Sequence, residues 1–149
     1  MKPNQNFGEN LIKQILCRII EKNGFQPTES QIIGLIKRSL SDKLRKKKYQ
    51  GNKNRMAGHC YIASEAFYHL TKQTNLYTPS YVKFCGETHW FLSKKDGTDI
   101  DITVKQFGGK IPPYHLKKNC GFLTKNPSKR AVELLKVMFD KLQIEKSKR

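Results

Sequence analysis

The side chains best suited to chemistry in this sequence are Cys60, closing the segment Gly58-His59-Cys60, His89 on a later apolar stretch, and Asp101 one hairpin further on. A thiol becomes nucleophilic when its thiolate is stabilised, and a helix N-terminus and a neighbouring imidazolium are two common ways to do so. After Cys60, the residues Ile62, Ala63, Ala66, Phe67 and Leu70 recur on one face while Ser64, Glu65 and His69 fall on others. That spacing predicts a core-packed helix that begins at the thiol. No Ser, Thr, Asp or Asn stands at the cap position before it, so its first N–H groups are left for a thiolate or an oxyanion. The oxyanion candidates are the Cys60 N–H and the side chains of His59 and Asn54.

The elements that must bring the imidazole and the carboxylate together follow from alternation. Tyr81-Val82-Lys83-Phe84, His89-Trp90-Phe91-Leu92 and Asp99 to Val104 read as strands, with a turn over Lys95-Asp96-Gly97. A three-residue loop with Gly97 left-handed pairs Lys94 with Thr98, sets Trp90 opposite Ile102 and Leu92 opposite Ile100, and turns all four toward the core. His89, Phe91, Asp101 and Thr103 then share the other face, with His89 and Asp101 about 7–8 Å apart at the backbone, within side-chain reach. A five-residue loop pairs them directly, whereas a two- or four-residue loop buries His89 with Ile100 and Ile102. Asp99 shares the alternation of Asp101 and is the alternative orienter. The bland alternative leaves both His89 and Asp101 on a wet face.

The rest of the chain supplies helices and charge. Leu11, Ile12, Ile15, Leu16, Ile19 and Ile20 have helical spacing, with a stop at Asn23-Gly24. A second helix, capped by Thr28 or Ser30, carries Ile32, Ile33, Leu35, Ile36, Leu40 and Leu44, so residues 10–45 read as a helical hairpin. Both helices are apolar enough to be packing elements rather than a DNA-reading pair. Residues 43–57 form a basic loop with Arg45, Lys46, Lys47, Lys48, Lys53 and Arg55. Residues 58–107 hold the cysteine helix and the strands. Residues 127–143 form a last helix, with Pro127 at its first position behind Asn126, and with Ala131, Leu134, Leu135, Met138 and Leu142 on its apolar side. Lys125, Lys129 and Arg130 crowd its positive end, where an anion is favoured.

At 149 residues the chain fits a single domain, and its net charge of +17, from 29 Lys and Arg against 12 Asp and Glu, favours polyanionic partners. The basic surface marks a nucleic acid, or an acidic or nucleic-acid-associated protein, as the expected partner. No window reaches transmembrane length and the amino terminus lacks a signal-peptide core, so no membrane contact and a cytoplasmic location are expected. Cys17, Cys60, Cys85 and Cys120 never form a CxxC pair and read as thiols. His59, Cys60, Cys85, His89, His115 and Cys120 are spaced poorly for zinc, so no metal and no other cofactor is expected. The sequence has no P-loop, GxGxxG, HExxH or GxSxG, so nucleotide hydrolysis, dinucleotide chemistry and serine hydrolysis lack support.

A cysteine at a helix start, His-Trp on a strand and Asp-Ile-Asp-Ile-Thr on the next resembles the Cys, His, Asp order of the transglutaminase-like branch of the papain-like superfamily. That resemblance, covering residues 55–130, implies an α+β fold in which a small antiparallel sheet packs against helices. It implies Cys60 as nucleophile, His89 as base and Asp101 as orienter. Gly58-His59-Cys60-Tyr61, His89-Trp90-Phe91-Leu92 and Gly121-Phe122-Leu123-Thr124-Lys125 also resemble stretches of small bacteriophage proteins, which would make the compartment a host cytoplasm. The expected function is thiol-dependent acyl transfer on a protein or peptide, as a protease, deamidase or acyltransferase. The rival is a noncatalytic nucleic-acid-binding protein that uses the basic loop with Lys125, Lys129 and Arg130.

Overall fold

A computed structural model describes residues 7–52, 58–122 and 125–147. Within them, four helices pack with a four-stranded antiparallel sheet, an α+β arrangement. Helix α1 spans Phe7–Asn23 and ends as its sequence predicts: Gly24 takes φ +77° and donates its N–H to Ile20 O at 2.7 Å. Helix α2, Glu29–Ser39, opens with a reciprocal cap in which Thr28 Oγ1 accepts from the Gln31 N–H and Gln31 Oε1 accepts from the Thr28 N–H. The stripes of the hairpin, Leu11, Ile12, Ile15, Ile19, Ile32, Leu35 and Ile36, are buried, as packing elements require. Leu44 is buried too, but in a one-turn 3-10 helix, Asp42–Leu44, because the chain leaves the helix at Leu40.

The basic stretch is more structured than a loop. A second 3-10 turn covers Lys47–Tyr49, and Arg45, only 5% exposed, clips the segment by donating Nη1 hydrogen bonds to Asp42 Oδ1, Tyr49 O and Asn52 O. Arg45, expected in the sequence as one of the exposed basic contacts, is therefore an internal tie of this segment. Lys53, Asn54 and Arg55 lie outside the described residues.

Helix α3, Cys60–Thr71, lies between the sheet and helices α2 and α4. Being covered on both sides, it buries its apolar stripe and also Ser64, Glu65 and His69, which the helical period alone puts on outer faces. Strands β1 (Tyr77–Phe84), β2 (Glu87–Lys94), β3 (Asp99–Ile100) and β4 (Lys118–Asn119) lie in the order β3-β2-β1-β4. The β1 to β2 turn is Cys85-Gly86, with φ +53° and +78°, as a tight two-residue hairpin demands.

The β2 to β3 hairpin keeps the predicted register. Gly97 has φ +93°, Lys94 N–H reaches Thr98 O at 2.8 Å, and Leu92 faces Ile100. The strand itself is shorter than alternation suggests. After Ile100 the chain turns through Asp101–Thr103 into a 3-10 helix, Val104–Phe107. Ile102 drops into the main core cluster, so it does not pair with Trp90. Trp90 and Ile100 are only half-buried, and the Trp90 ring packs on Tyr61, Tyr81 and Phe122.

Helix α4, Lys129–Ser147, starts two residues later than the proline suggests. Ser128 Oγ accepts from the Ala131 N–H, so Ser128 performs the capping. Pro127 instead packs on Gly8, where an added Cβ would lie 3.3 Å from Pro127 Cγ. Ala131, Leu134, Leu135, Met138 and Leu142 are buried as expected. Among the described residues, no helix is long and apolar enough to cross a membrane.

Candidate active site

Cys60 is the first residue of α3, and its cap residue His59 makes no side-chain cap bond. The approach to it is fixed from both sides. Gly58, at φ +78°, presses against Tyr49, whose Cγ would lie 2.6 Å from any added Cβ. Tyr49 in turn hydrogen-bonds through its hydroxyl to Glu87 at the start of β2. The His59 ring is fully buried with Nε2 2.9 Å from Ser41 O, so that nitrogen anchors the turn and is not free for an oxyanion. Of the oxyanion candidates, Asn54 lies outside the described residues and the Cys60 N–H stands at the helix start.

Helix α3 packs across β2, and Cys60 Sγ lies 4.0 Å from Thr88 O, beside His89. His89 is 1% exposed, not on a wet face. Its ring is wedged between Phe91, stacked at 6.1 Å, and Phe107, edge-on at 4.7 Å. Its Nε2 is 2.7 Å from Asp101 Oδ2. Asp101 Oδ2 also accepts from the Tyr114 hydroxyl at 2.8 Å. Asp99 is engaged elsewhere, by Lys117 Nζ at 2.7 Å and Ser93 Oγ at 3.1 Å, so the carboxylate at the imidazole is Asp101.

With Nε2 committed to Asp101, the nitrogen left for the thiol is Nδ1, which is buried and makes no hydrogen bond to any described residue. Cys60 is nonetheless close enough to act on the ring. Burial alone would lower the imidazole's proton affinity, but the Asp101 and Cys60 contacts and their negative charges outweigh it and raise His89 to about 9. A thiol beside the ring but short of hydrogen-bond geometry is the looser arrangement common before substrate binds. Burial and the bond to Asp101 push the Tyr114 hydroxyl up, so it stays a donor.

Cys60 and His89 line a cleft of about 1020 Å³, large for a ligand site, with Asp101 behind the imidazole. Lys46, Lys48, Lys129 and Arg130, four of the cations expected to bind an anion, line it. Lys47 and Lys125 are exposed outside it. Lys83 and Lys110 line it as well and carry no sequence signal, since neither sits in a basic run. Tyr114, Phe107 and Gln106 were equally silent in the sequence, because they come from a segment without periodicity. The turn-forming Pro112-Pro113 before Tyr114 is the one local hint.

One more buried acid shapes the site. Glu65, fully buried in α3, accepts from Ser128 Oγ at 2.7 Å and from the Ser128 N–H at 2.9 Å, tying the start of α4 to the helix that carries the thiol. Burial raises the Glu65 carboxyl, and the two Ser128 bonds offset this only in part. Among the described residues, no three His, Cys, Asp or Glu side chains group as metal ligands. Comparison with protein-family models, with curated proteins and with solved structures gives no match.

Proposed function

We propose that the protein is a thiol-dependent acyl-transfer enzyme, a protease, deamidase or acyltransferase, built on a papain-like or transglutaminase-like core. The observation that carries this reading is the 2.7 Å bond between His89 Nε2 and Asp101 Oδ2, with the same imidazole beside a thiol at the first residue of α3. His89 takes the proton of Cys60, and Asp101 fixes the ring and stabilises the imidazolium. Cys60 sulfur attacks the carbonyl carbon of an amide, isopeptide or thioester, and the Cys60 N–H helps to hold the oxyanion. The bond to the leaving group breaks as His89 returns the proton to it. Water or an amine, deprotonated by His89, then attacks the thioester, giving an acid or a new amide and restoring the thiol.

The test is competitive alkylation. Cys17, Cys85 and Cys120 are exposed, whereas Cys60 is only partly so. Accessibility therefore favours the other three, and chemistry alone can put Cys60 first. Iodoacetamide is expected to modify Cys60 ahead of the others, and His89→Ala to slow that reaction by about 10²-fold or more near neutral pH. Equal modification of all four thiols would refute the reading.

The cationic cleft favours a second reading, a noncatalytic nucleic-acid binder. It predicts steeply salt-dependent binding to DNA or RNA that survives Cys60→Ala and is lost when Lys46, Lys48 and Lys129 are neutralised.

A further inference from the structure

The cleft beside Cys60 is asymmetric in charge. Lys46, Lys48, Lys83, Lys110, Lys129 and Arg130 line it, against Glu87 as its one acid among the described residues. Glu87 is occupied by the Tyr49 hydroxyl and lies 3.8 Å from Lys48. Lys46, Lys110 and Lys129 are exposed and form no ion pair with any described residue. Unpaired like charges converging on one concavity repel one another, and they lower that cost by taking up an anion.

Arg130 is the cation built for this role. Its Nε donates to Leu44 O at 2.9 Å, and the first turn of its helix is held by the Ser128 to Glu65 bonds. With Nε spent and the backbone anchored, the two terminal nitrogens, which bond to no side chain or carbonyl among the described residues, suit a planar acceptor such as a carboxylate. Arg130 and Cys60 line the same cleft, so an anion held by Arg130 shares that space with the reacting sulfur.

We propose that this cleft takes an acidic peptide segment, with an Asp or Glu carboxylate gripped by Arg130 and further acidic residues met by Lys46, Lys110 and Lys129. The inference rests on Cys60 being the nucleophile: a thiol enzyme needs an acyl carbon, which a peptide offers and a nucleic acid strand does not. The aromatic lining agrees. Trp90 packs on Tyr61 and Tyr81, and Phe84 packs edge-on against Phe107, so these rings serve one another rather than a row of bases.

Two probes differing only in charge test it. At low ionic strength, the rate of iodoacetate relative to iodoacetamide at Cys60 is expected to exceed the same ratio at Cys17 by about tenfold or more. Arg130→Gln is expected to abolish that preference, and Lys13→Gln on α1 to leave it. A ratio at Cys60 no higher than at Cys17 overturns the carboxylate site even if iodoacetamide still favours Cys60. If iodoacetamide shows no preference for Cys60, the thiol reading itself has failed. A Glu-rich hexapeptide is expected to protect Cys60 from iodoacetamide at lower concentration than its Gln counterpart or a thymidine hexanucleotide, and Lys110→Gln and Lys129→Gln, both exposed, to weaken that protection. Protection by the oligonucleotide at equal or lower concentration, or by none of the three, overturns the proposal.

Discussion

The Tyr114 hydroxyl and Asp101 Oδ2 are 2.8 Å apart, so the oxygen that holds the His89 ring is itself held by a second donor. Hydrogen bonds to a charged group contribute about 1.5–3 kcal/mol. Tyr114→Phe is therefore expected to lower unfolding free energy in urea by about that much while Cys60 alkylation falls only severalfold. Asp101→Asn, which removes the charge opposite the imidazolium, is expected to slow alkylation by about 10²-fold or more. Equal kinetic losses in the two variants would mean that Tyr114 works directly in the chemistry rather than through Asp101.

The difference between Tyr114 and Asp101 also marks what the sequence discloses. Cys60 at a helix start and Leu92 facing Ile100 were legible because they depend on short-range rules, a 3.6-residue period in one case and Gly97 with period-two alternation in the other. Arg45 was not, because its three acceptors come from turns whose geometry has no local pattern, and without them an arginine among lysines reads as solvated charge. Asp101 was placed on a strand that stops one residue before it. It still meets His89, because a turn after Ile100 keeps the carboxylate within reach. Glu65 and His69 were assigned to outer faces of α3, since the helical period cannot tell that a helix will be covered on two sides.

Two buried histidines make stability depend on pH in opposite directions. His89, raised to about 9 from an ordinary 6.5, stabilises the fold in its protonated form. That contribution is complete below about pH 6.5 and is lost as pH climbs toward 9. His69 is the reverse case. Burial, and then the charge of Lys72, depress it to about 4, and neither ring nitrogen has a hydrogen-bond partner among the described residues. Its contribution is complete above about 6.5 and is lost as pH falls toward 4. Melting temperature is therefore expected to peak near neutrality. His69→Phe, which removes two unpaired buried nitrogens from a ring packed on Phe122, is expected to raise stability by about 1–3 kcal/mol and to flatten the acid limb. NMR titration of the His89 ring is expected to show a midpoint near 9. A midpoint at or below 6.5 would mean that thiol and carboxylate do not act on the imidazole together.

Gly58 and Gly51 give a matched pair for asking what holds Cys60 in place. Both have positive φ, +78° and +86°, so alanine at either site costs about 1–2 kcal/mol in backbone strain. Around Gly51 nothing lies within 4 Å of an added Cβ, whereas at Gly58 that atom would meet Tyr49 Cγ, Cβ and Cδ2 at 2.6, 2.7 and 2.9 Å. A methyl group at Gly58 must push the ring away, which strains its bond to Glu87 and shifts the turn leading into α3. Overpacking of this kind adds about 1–3 kcal/mol. Gly51→Ala is expected to lower stability modestly and leave Cys60 alkylation unchanged. Gly58→Ala is expected to lose roughly twice as much stability and to slow alkylation at Cys60 while sparing Cys17. If both variants leave the Cys60 rate intact, Tyr49 does not position the thiol, and the helix start alone must set its reactivity.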